Sequence, residues 1–373
     1  MDLSNQTYIA TAAFSLEGIV AAELKRLQMR NVTAFPGGAS FTGSLTDAFR
    51  ANLLLRCADR VQMVLAEGDV RTFEELFQLV SRVRWEELMP VTAQINISGK
   101  CARSTLMSIR DCQSIAKKAV IERLRKATGA ERFPETGVPY PIDVAIHQDH
   151  CRVTLDMSGT ALNRRGYRTW NAEAPLRETL AAALVELSPW RPGMPLWDCC
   201  CGSGTIILEA AFRAGHRAPG LKRLFAMEKY PFFPAEEAAV IRNQAMIDFE
   251  PQRIHDLGGS DIDPEVLKLA ERHTAQAGLT DYVTWACVPL QQLQRPEEQG
   301  VFLCNPPYGE RLSDRKTCEK LYHDLHALKD RHPGWSLCAI SSDPMFERAY
   351  GKRADKKRRL YNGRLECEFL IYR

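Results

Sequence analysis

The sequence predicts an α/β protein. A mostly parallel, doubly wound sheet with a terminal β-hairpin fills the C-terminal half, behind smaller α+β modules. Three stretches predict it. Residues 196–211 read as a strand ending near Asp198, a Gly202-Ser203-Gly204 turn and a helix. Residues 255–260 read as a second strand, followed by Asp261-Ile262-Asp263-Pro264. Residues 301–304 form an apolar strand that runs into Asn305-Pro306-Pro307-Tyr308-Gly309, where two prolines have no N–H to continue a ladder. Ligands of open α/β sheets bind outside the carboxyl ends of the strands, so each stretch stops where chemistry is expected.

At 373 residues the chain has room for two domains, and three sub-units are possible. Its 45% hydrophobic and 25% charged residues are those of an ordinary globular protein. Without an 18-residue apolar run or a basic-then-apolar leader, nothing argues for secretion or membrane insertion. The twelve cysteines are scattered apart from Cys199-Cys200-Cys201 and form no CxxC pair, so neither a zinc ribbon nor a thioredoxin-type motif is supported, and free thiols in this number suit a reducing cytoplasm. A net charge of +3 does not by itself imply nucleic acid. Its distribution says more: between residues 352 and 364, seven Lys and Arg, among them Lys356, Lys357 and Arg358, face only Asp355. Such a run is a solvated face or, beside a base-modifying site, a phosphate contact.

The first half alternates strands and helices. Residues 6–13 form a strand, and Leu16, Ile19, Val20, Leu24 and Leu27 share one helical face after it. Strands follow at 38–43, 60–66, 93–98, 142–146 and 151–156, with helices at 45–55, 72–80 and 111–126. No glycine-rich phosphate loop interrupts them, which suggests small modules that carry no catalysis. Arg103, Arg110, Lys117, Lys118, Arg123, Arg125 and Lys126 gather around the last helix, as a solvated face or an RNA-backbone surface. His147 and His150 flank a surface turn.

Residues 162–168, with Arg165 and Arg168 around Gly166, form a basic junction. Pro175 then opens a helix. In the Asp198 to Thr205 turn the glycines allow close approach of a ligand, and the following helix offers free N–H groups. Ile207 stands where a dinucleotide fingerprint needs its third glycine, which disfavours nicotinamide binding. A carboxylate ahead of the turn suits a ligand with an ammonium or sulfonium group. Asp261 is placed for ribose hydroxyls and Ile262 for an adenine face. Further strands are expected at 283–287, 301–304 and 337–341, and a hairpin at 360–372 around Asn362-Gly363. The Asn305 side-chain oxygen and the next carbonyl can each accept one N–H of an exocyclic amine on a planar ring. That favours the pyramidal amine whose lone pair can attack an electrophile, while a neighbouring Tyr stacks on the ring.

DCCCGSGT, GSDIDP and NPPYG together resemble the class I S-adenosylmethionine-dependent methyltransferases that act on amino groups of planar systems. GTALNRRGYR, EAPLRETLAAAL, CGSGTIILEAA, NPPYGERL and GKRADKKRRLYNG narrow the resemblance to THUMP-domain RNA guanine-N2-methyltransferases of the RlmL/YpsC type, which act on 23S rRNA. It covers essentially the whole chain. NPPYGERL and LRETLAAA are specific to that branch, whereas CGSGT is shared by very many methyltransferases.

The resemblance implies a ferredoxin-like module at 1–55, an RNA-gripping THUMP domain at 56–162 and a Rossmann-like class I methyltransferase domain with its linker at 163–373. It also implies S-adenosyl-L-methionine as cofactor, RNA as partner, and neither metal nor membrane. Asp198, Cys200, Gly202 and Gly204 would hold the methionine part of the cofactor, with Thr179 lining the site, Asp261 on the ribose, Ile262 on the adenine and Asn305 at the shared edge. Asn305 and the Pro306 carbonyl would accept the amine hydrogens, and Tyr308 would stack on the base. Arg103, Lys117, Arg165, Arg168, Arg311, Lys356, Lys357 and Arg358 would meet RNA. Two departures stand out. The family often has Asp-Pro where this chain has Asp198-Cys199. Many relatives also place an Asp near the position of Pro289, so the adenine amino group falls to a main-chain carbonyl, Gln291 or Gln292. A tRNA substrate, another amine acceptor such as adenine N6, and an inert RNA-binding assembly factor remain as alternatives.

Overall fold

The computed structural model describes residues 3–168, 176–307 and 315–373. Its first half runs β1 (Gln6–Thr11), α1 (Glu17–Arg26), β2 (Arg30–Phe35), β3 (Gly38–Gly43), α2 (Leu45–Leu54), β4 (Arg60–Asp69), α3 (Phe73–Ser81), α4 (Trp85–Leu88), β5 (Gln94–Ala102), α5 (Ile109–Thr128), β6 (Pro139–His147) and β7 (His150–Asp156). Local chemistry sets the helix starts. Ser44 and Thr72 each accept an N–H from the third residue of the following helix, and Asp47 and Glu75 return the bond.

The strands of this half form one seven-stranded sheet, ordered β2-β3-β1-β4-β7-β6-β5. The α+β character expected of this half is present, and pairing between β4 and β7 joins its strands into that single sheet. β4 is ten residues long, against six for β1. Its first residues pair with β1, and its length pairs with β7. Strand pairing is non-local, so no periodicity in the sequence announces the fusion. β2 carries no alternating signal in the sequence, because four of its six residues are exposed and the remaining two are half-buried.

The second half runs α6 (Glu178–Leu187), β8 (Leu196–Asp198), α7 (Thr205–Ala214), α8 (Ala235–Ile247), β9 (Leu257–Asp261), α9 (Pro264–Ala277), β10 (Thr284–Cys287), β11 (Gly300–Cys304), α10 (Arg315–Arg331), β12 (Trp335–Ser341), α11 (Phe346–Tyr350), β13 (Lys356–Asn362) and β14 (Leu365–Tyr372). The sheet order is β10-β9-β8-β11-β12-β14-β13, parallel except for β14. This is the doubly wound sheet with a terminal hairpin. Its switch point lies between β8 and β11, where the chain winds away in both directions. The hairpin begins at Lys356, earlier than expected, because its first four residues are charged and exposed on an edge strand. α8 has no helical signature in the sequence, because Val240, Met246 and Ile247 are exposed and its apolar residues mark no single buried face. Among the described residues no helix is long and apolar enough to cross a membrane.

One apolar core spans both halves, from Tyr8 to Ile371. Polar contacts fix the seam. The Arg56 guanidinium donates to the carbonyls of Phe212 and Arg217, at 3.1 and 2.8 Å. Arg26 pairs with Glu186 at 2.6 Å.

Candidate active site at the switch point of the C-terminal sheet

Three strand ends converge. Asp198 closes β8 and is 1% exposed, with its carboxylate accepting the Cys200 N–H at 3.1 Å. Burial pushes its pKa well above the usual carboxylate range, and the nearby Cys200 and Asp261 push the same way. The turn after it uses left-handed glycines, with φ of 51° at Gly202 and 81° at Gly204. A Cβ on Gly204 would stand 2.6 Å from the Trp285 ring, so this position is closed to any side chain. A Cβ on Gly202 would meet nothing within 4 Å, which leaves the turn open to a ligand.

Asp261 closes β9 and ties two turns together. One oxygen accepts the Gly202 N–H at 3.0 Å and the other accepts the Asp263 N–H at 3.1 Å. Asp263 caps α9 by accepting the Glu265 N–H at 2.8 Å. Ile262, between them, is 72% exposed, an apolar side chain standing free at the rim. Across the switch point, Asn305 follows β11. Its Oδ1 is buried and accepts no hydrogen bond among the described residues. Leaving a buried carbonyl unpaired costs about 1–3 kcal/mol, so such a group calls for an explanation. Pro306 is buried behind it, and the Pro307 carbonyl accepts from the Tyr322 hydroxyl at 3.4 Å and the Cys318 thiol at 3.6 Å. The turn is therefore held from below.

The β8–β11 pairing also gathers the thiols of Cys199, Cys200 and Cys304 within 4.8 Å of one another, close enough to hold a metal ion. Hydrogen bonds with Cys200 and Cys304 hold the Cys199 thiol below its usual range, while the other two are pushed up. Sequence spacing could not show this group, since Cys304 lies more than one hundred residues away. The signal that was available, a cysteine where relatives carry proline, pointed to tolerance alone.

Other expected contacts fall elsewhere. The Thr179 hydroxyl donates to Asp59 at 3.0 Å and is 4% exposed, so it joins the two halves. Gln291, one candidate for the adenine contact, donates to Asp324 at 2.6 Å. Arg165 is corrected outright as an RNA contact. Its side chain is 2% exposed and lies against a fully buried Glu209 at 3.3 Å, with the Leu162 carbonyl at 2.7 Å. The Tyr167 hydroxyl donates to the same carboxylate at 3.2 Å. A lone Glu in the apolar stretch Ile206-Ile207-Leu208-Glu209-Ala210-Ala211 was the available signal, because a buried carboxylate demands a buried cation. Arg168 is corrected for the same reason: its side chain is 9% exposed, bonded to Thr205 and the Leu176 carbonyl and 3.5 Å from Glu178. Tyr308 and Arg311 lie outside the described residues, as does Pro175.

The remaining basic residues are on the surface. Arg103 and Lys356 are exposed. Lys117 pairs with Glu135 at 2.7 Å and lines a groove of about 520 Å³ between β5 and α5. Lys357 bonds Glu347 and lies 3.6 Å from Glu368. Arg358 reaches the Ser15 carbonyl of the N-terminal half at 2.7 Å.

Comparison with known proteins divides the chain into three matches. A family model described as RMKL-like, methyltransferase domain covers residues 165–371; an RlmL ferredoxin-like domain covers 7–62; a THUMP domain covers 70–156. YpsC of Bacillus subtilis, named as an RNA methyltransferase, is 36% identical over 99% of this chain and 96% of its own length. A protein of Syntrophotalea carbinolica named ribosomal RNA large subunit methyltransferase K/L is 34% identical over 98% of this chain, which spans 53% of that protein. Among solved structures, SMU.472, described as a methyltransferase complexed with SAH, is 35% identical with a TM-score of 0.94, over 100% of this chain and 98% of its own.

Proposed function

Since the chain belongs to the RMKL-like methyltransferase family, we propose that it methylates the exocyclic N2 amine of a guanine in RNA, with 23S rRNA as the substrate. S-Adenosyl-L-methionine is its cofactor. The residues at the switch point fit that molecule: a buried carboxylate for its cationic end, an open glycine turn, a second carboxylate for ribose hydroxyls and an exposed Ile262 for a flat ring. When bound, it supplies a methyl group made electrophilic by a positive sulfonium.

What most supports this reading is the buried Asn305 Oδ1, which has no hydrogen-bond partner among the described residues. An amine N–H donated to it satisfies that oxygen, and a second N–H donated to the Pro306 carbonyl fixes the plane of approach. The two bonds localise the amine lone pair, whose delocalisation into the ring makes it a poor nucleophile. Catalysis is then alignment, with no strong base needed, and the amine proton leaves to water after attack. The target base must come out of its stack at a cost of a few kcal/mol. Stacking on Tyr308, worth roughly 1–3 kcal/mol, offsets much of it. The THUMP match and the names of the RNA-modifying relatives support RNA as the acceptor.

Transfer of a tritiated methyl group to large-subunit rRNA, small-subunit rRNA and tRNA from a strain lacking the enzyme tests this. Digestion should yield N2-methylguanosine from large-subunit rRNA. Label in tRNA changes the substrate, and label in N6-methyladenosine overturns the assignment of the base.

Cofactor binding should also depend on pH. Burial raises the Asp198 pKa, so the free protein holds a proton there when pH falls below that value. A cationic ligand needs the carboxylate, and binding then releases the proton. Affinity for S-adenosylhomocysteine, measured by calorimetry, should weaken by up to about tenfold per pH unit below the raised pKa. Asp198→Asn should remove that dependence. An affinity that stays flat with pH in the wild type contradicts the role of Asp198.

A further inference from the structure

Strand register places an aromatic and basic patch on the rim that carries Asn305. β12 runs parallel to β11, so its last residue, Ser341, ends at the same edge of the sheet. Ser341 stands opposite Glu368 of β14, and Glu368 opposite Arg359 of β13. Leu360, Tyr361 and Asn362 therefore rise past the carboxyl ends of the parallel strands. Three strand-to-strand steps, about 14 Å at ~4.8 Å each, separate β13 from β11.

The loop between β1 and α1 reaches this tip from the other half of the molecule. Phe14 is 60% exposed, and its ring lies 6.2 Å from that of Tyr361 in an edge-on arrangement at 70°. Ser15, beside it, is left-handed with φ 73°, and its carbonyl receives Arg358 at 2.7 Å. A large ring is thus held in water, backed by a second ring and fixed by a cation. Two exposed carboxylates share this hairpin: Glu366 accepts from the Tyr361 hydroxyl at 3.0 Å and pairs with Arg359 at 3.2 Å, and Glu368 lies 3.6 Å from Lys357. Lys356, Arg358 and Arg364 are exposed on the same hairpin. An isolated exposed Phe needs no explanation. An ordered ring beside a cationic strand, at the mouth of a base-modifying site, is how single-stranded nucleic acid is held: bases stack on aromatic faces while cations follow the backbone.

We propose that Phe14 and Tyr361 form a platform for an unpaired nucleotide of the RNA flanking the target base, with Arg364 at the hairpin turn meeting the adjoining phosphate, Lys356 at the far end of β13 meeting the backbone further along, and Arg358 holding the Phe14 loop in place. The inference rests on the RNA reading above. At about 3.4 Å of rise per stacked nucleotide, the platform lies a few nucleotides from the base being modified. It also gives the N-terminal half a direct part in presenting the substrate, through a loop that no sequence motif marks.

The test uses the full chain and a short unpaired RNA oligonucleotide carrying 2-aminopurine, whose fluorescence is quenched on stacking. The wild type should quench it. Phe14→Ala should weaken binding by roughly 5- to 150-fold, the loss of one base stack, with S-adenosylhomocysteine affinity unchanged. Phe14→Trp should retain the quench, whereas Phe14→Leu should not. If Phe14→Ala quenches as the wild type does, or if Phe14→Leu restores binding as fully as Phe14→Trp, the platform is wrong and the RNA reading stands. If the wild type neither binds nor methylates any RNA, both fall.

Discussion

Replacing Asn305 with alanine is expected to lower turnover by about 10²–10³-fold without lowering stability. The first part follows from the role of Oδ1. Removal of one preorganised hydrogen-bonding group at a reacting centre typically costs that much in rate. The second part follows from its state without substrate. Oδ1 is buried with no partner among the described residues, so deleting it removes an unsatisfied group whose desolvation costs about 1–3 kcal/mol. Activity and stability should therefore move apart, as they do where a fold keeps a strained group for function. Single-turnover kinetics and thermal unfolding read the two. A variant that is both inactive and markedly unstable would make Asn305 a structural residue. One with near-wild-type turnover would remove it from the mechanism.

Arg165→Ala is expected to destabilise the protein by about 3–5 kcal/mol, because it leaves a carboxylate buried without its cation. Glu209 is fully buried, and its described partners are Arg165 and the Tyr167 hydroxyl. Arg165 also donates to carbonyls of Leu162 and Arg56, so its loss loosens the seam between the halves. Urea unfolding should show the loss. RNA affinity of the folded variant, extrapolated across salt, should keep its wild-type slope. A variant of normal stability whose slope falls by about one phosphate contact would return Arg165 to the RNA surface. Like-for-like controls are Lys356→Ala and Arg364→Ala, whose side chains are exposed.

What could be read from the sequence was local. The turn from Asp198 to Thr205 is contiguous, and its two positive-φ glycines carry their own conformational signature. The stop after β11 is written by two prolines. Asp263 and Pro264 announce the start of α9 in the same way. What could not be read was set by pairing at long range. β4 fuses the N-terminal strands into one sheet through partners about ninety residues apart. Register across β8 and β11 assembles three thiols. The charge of Arg165 and Arg168 suggested a surface, yet their burial is decided by carboxylates on α7 and α6. Thr179 was expected to face the cofactor, and Asp59 of the other half receives its hydroxyl instead. In each case the residue type was informative, and the partner that fixed its role lay in another element.

The most direct measurement compares methyl transfer to the RNA substrate with transfer to the same RNA carrying inosine at the target position. Inosine differs from guanosine only by lacking the N2 amine, so the platform, the phosphate contacts and the stacking face all persist. The inosine RNA should bind more weakly, by no more than the two lost amine hydrogen bonds at about 0.5–1.5 kcal/mol each, and should accept no methyl group. Transfer that continues at a comparable rate would mean that the methyl group goes to another atom, and that the orphaned Asn305 oxygen does not hold the acceptor amine.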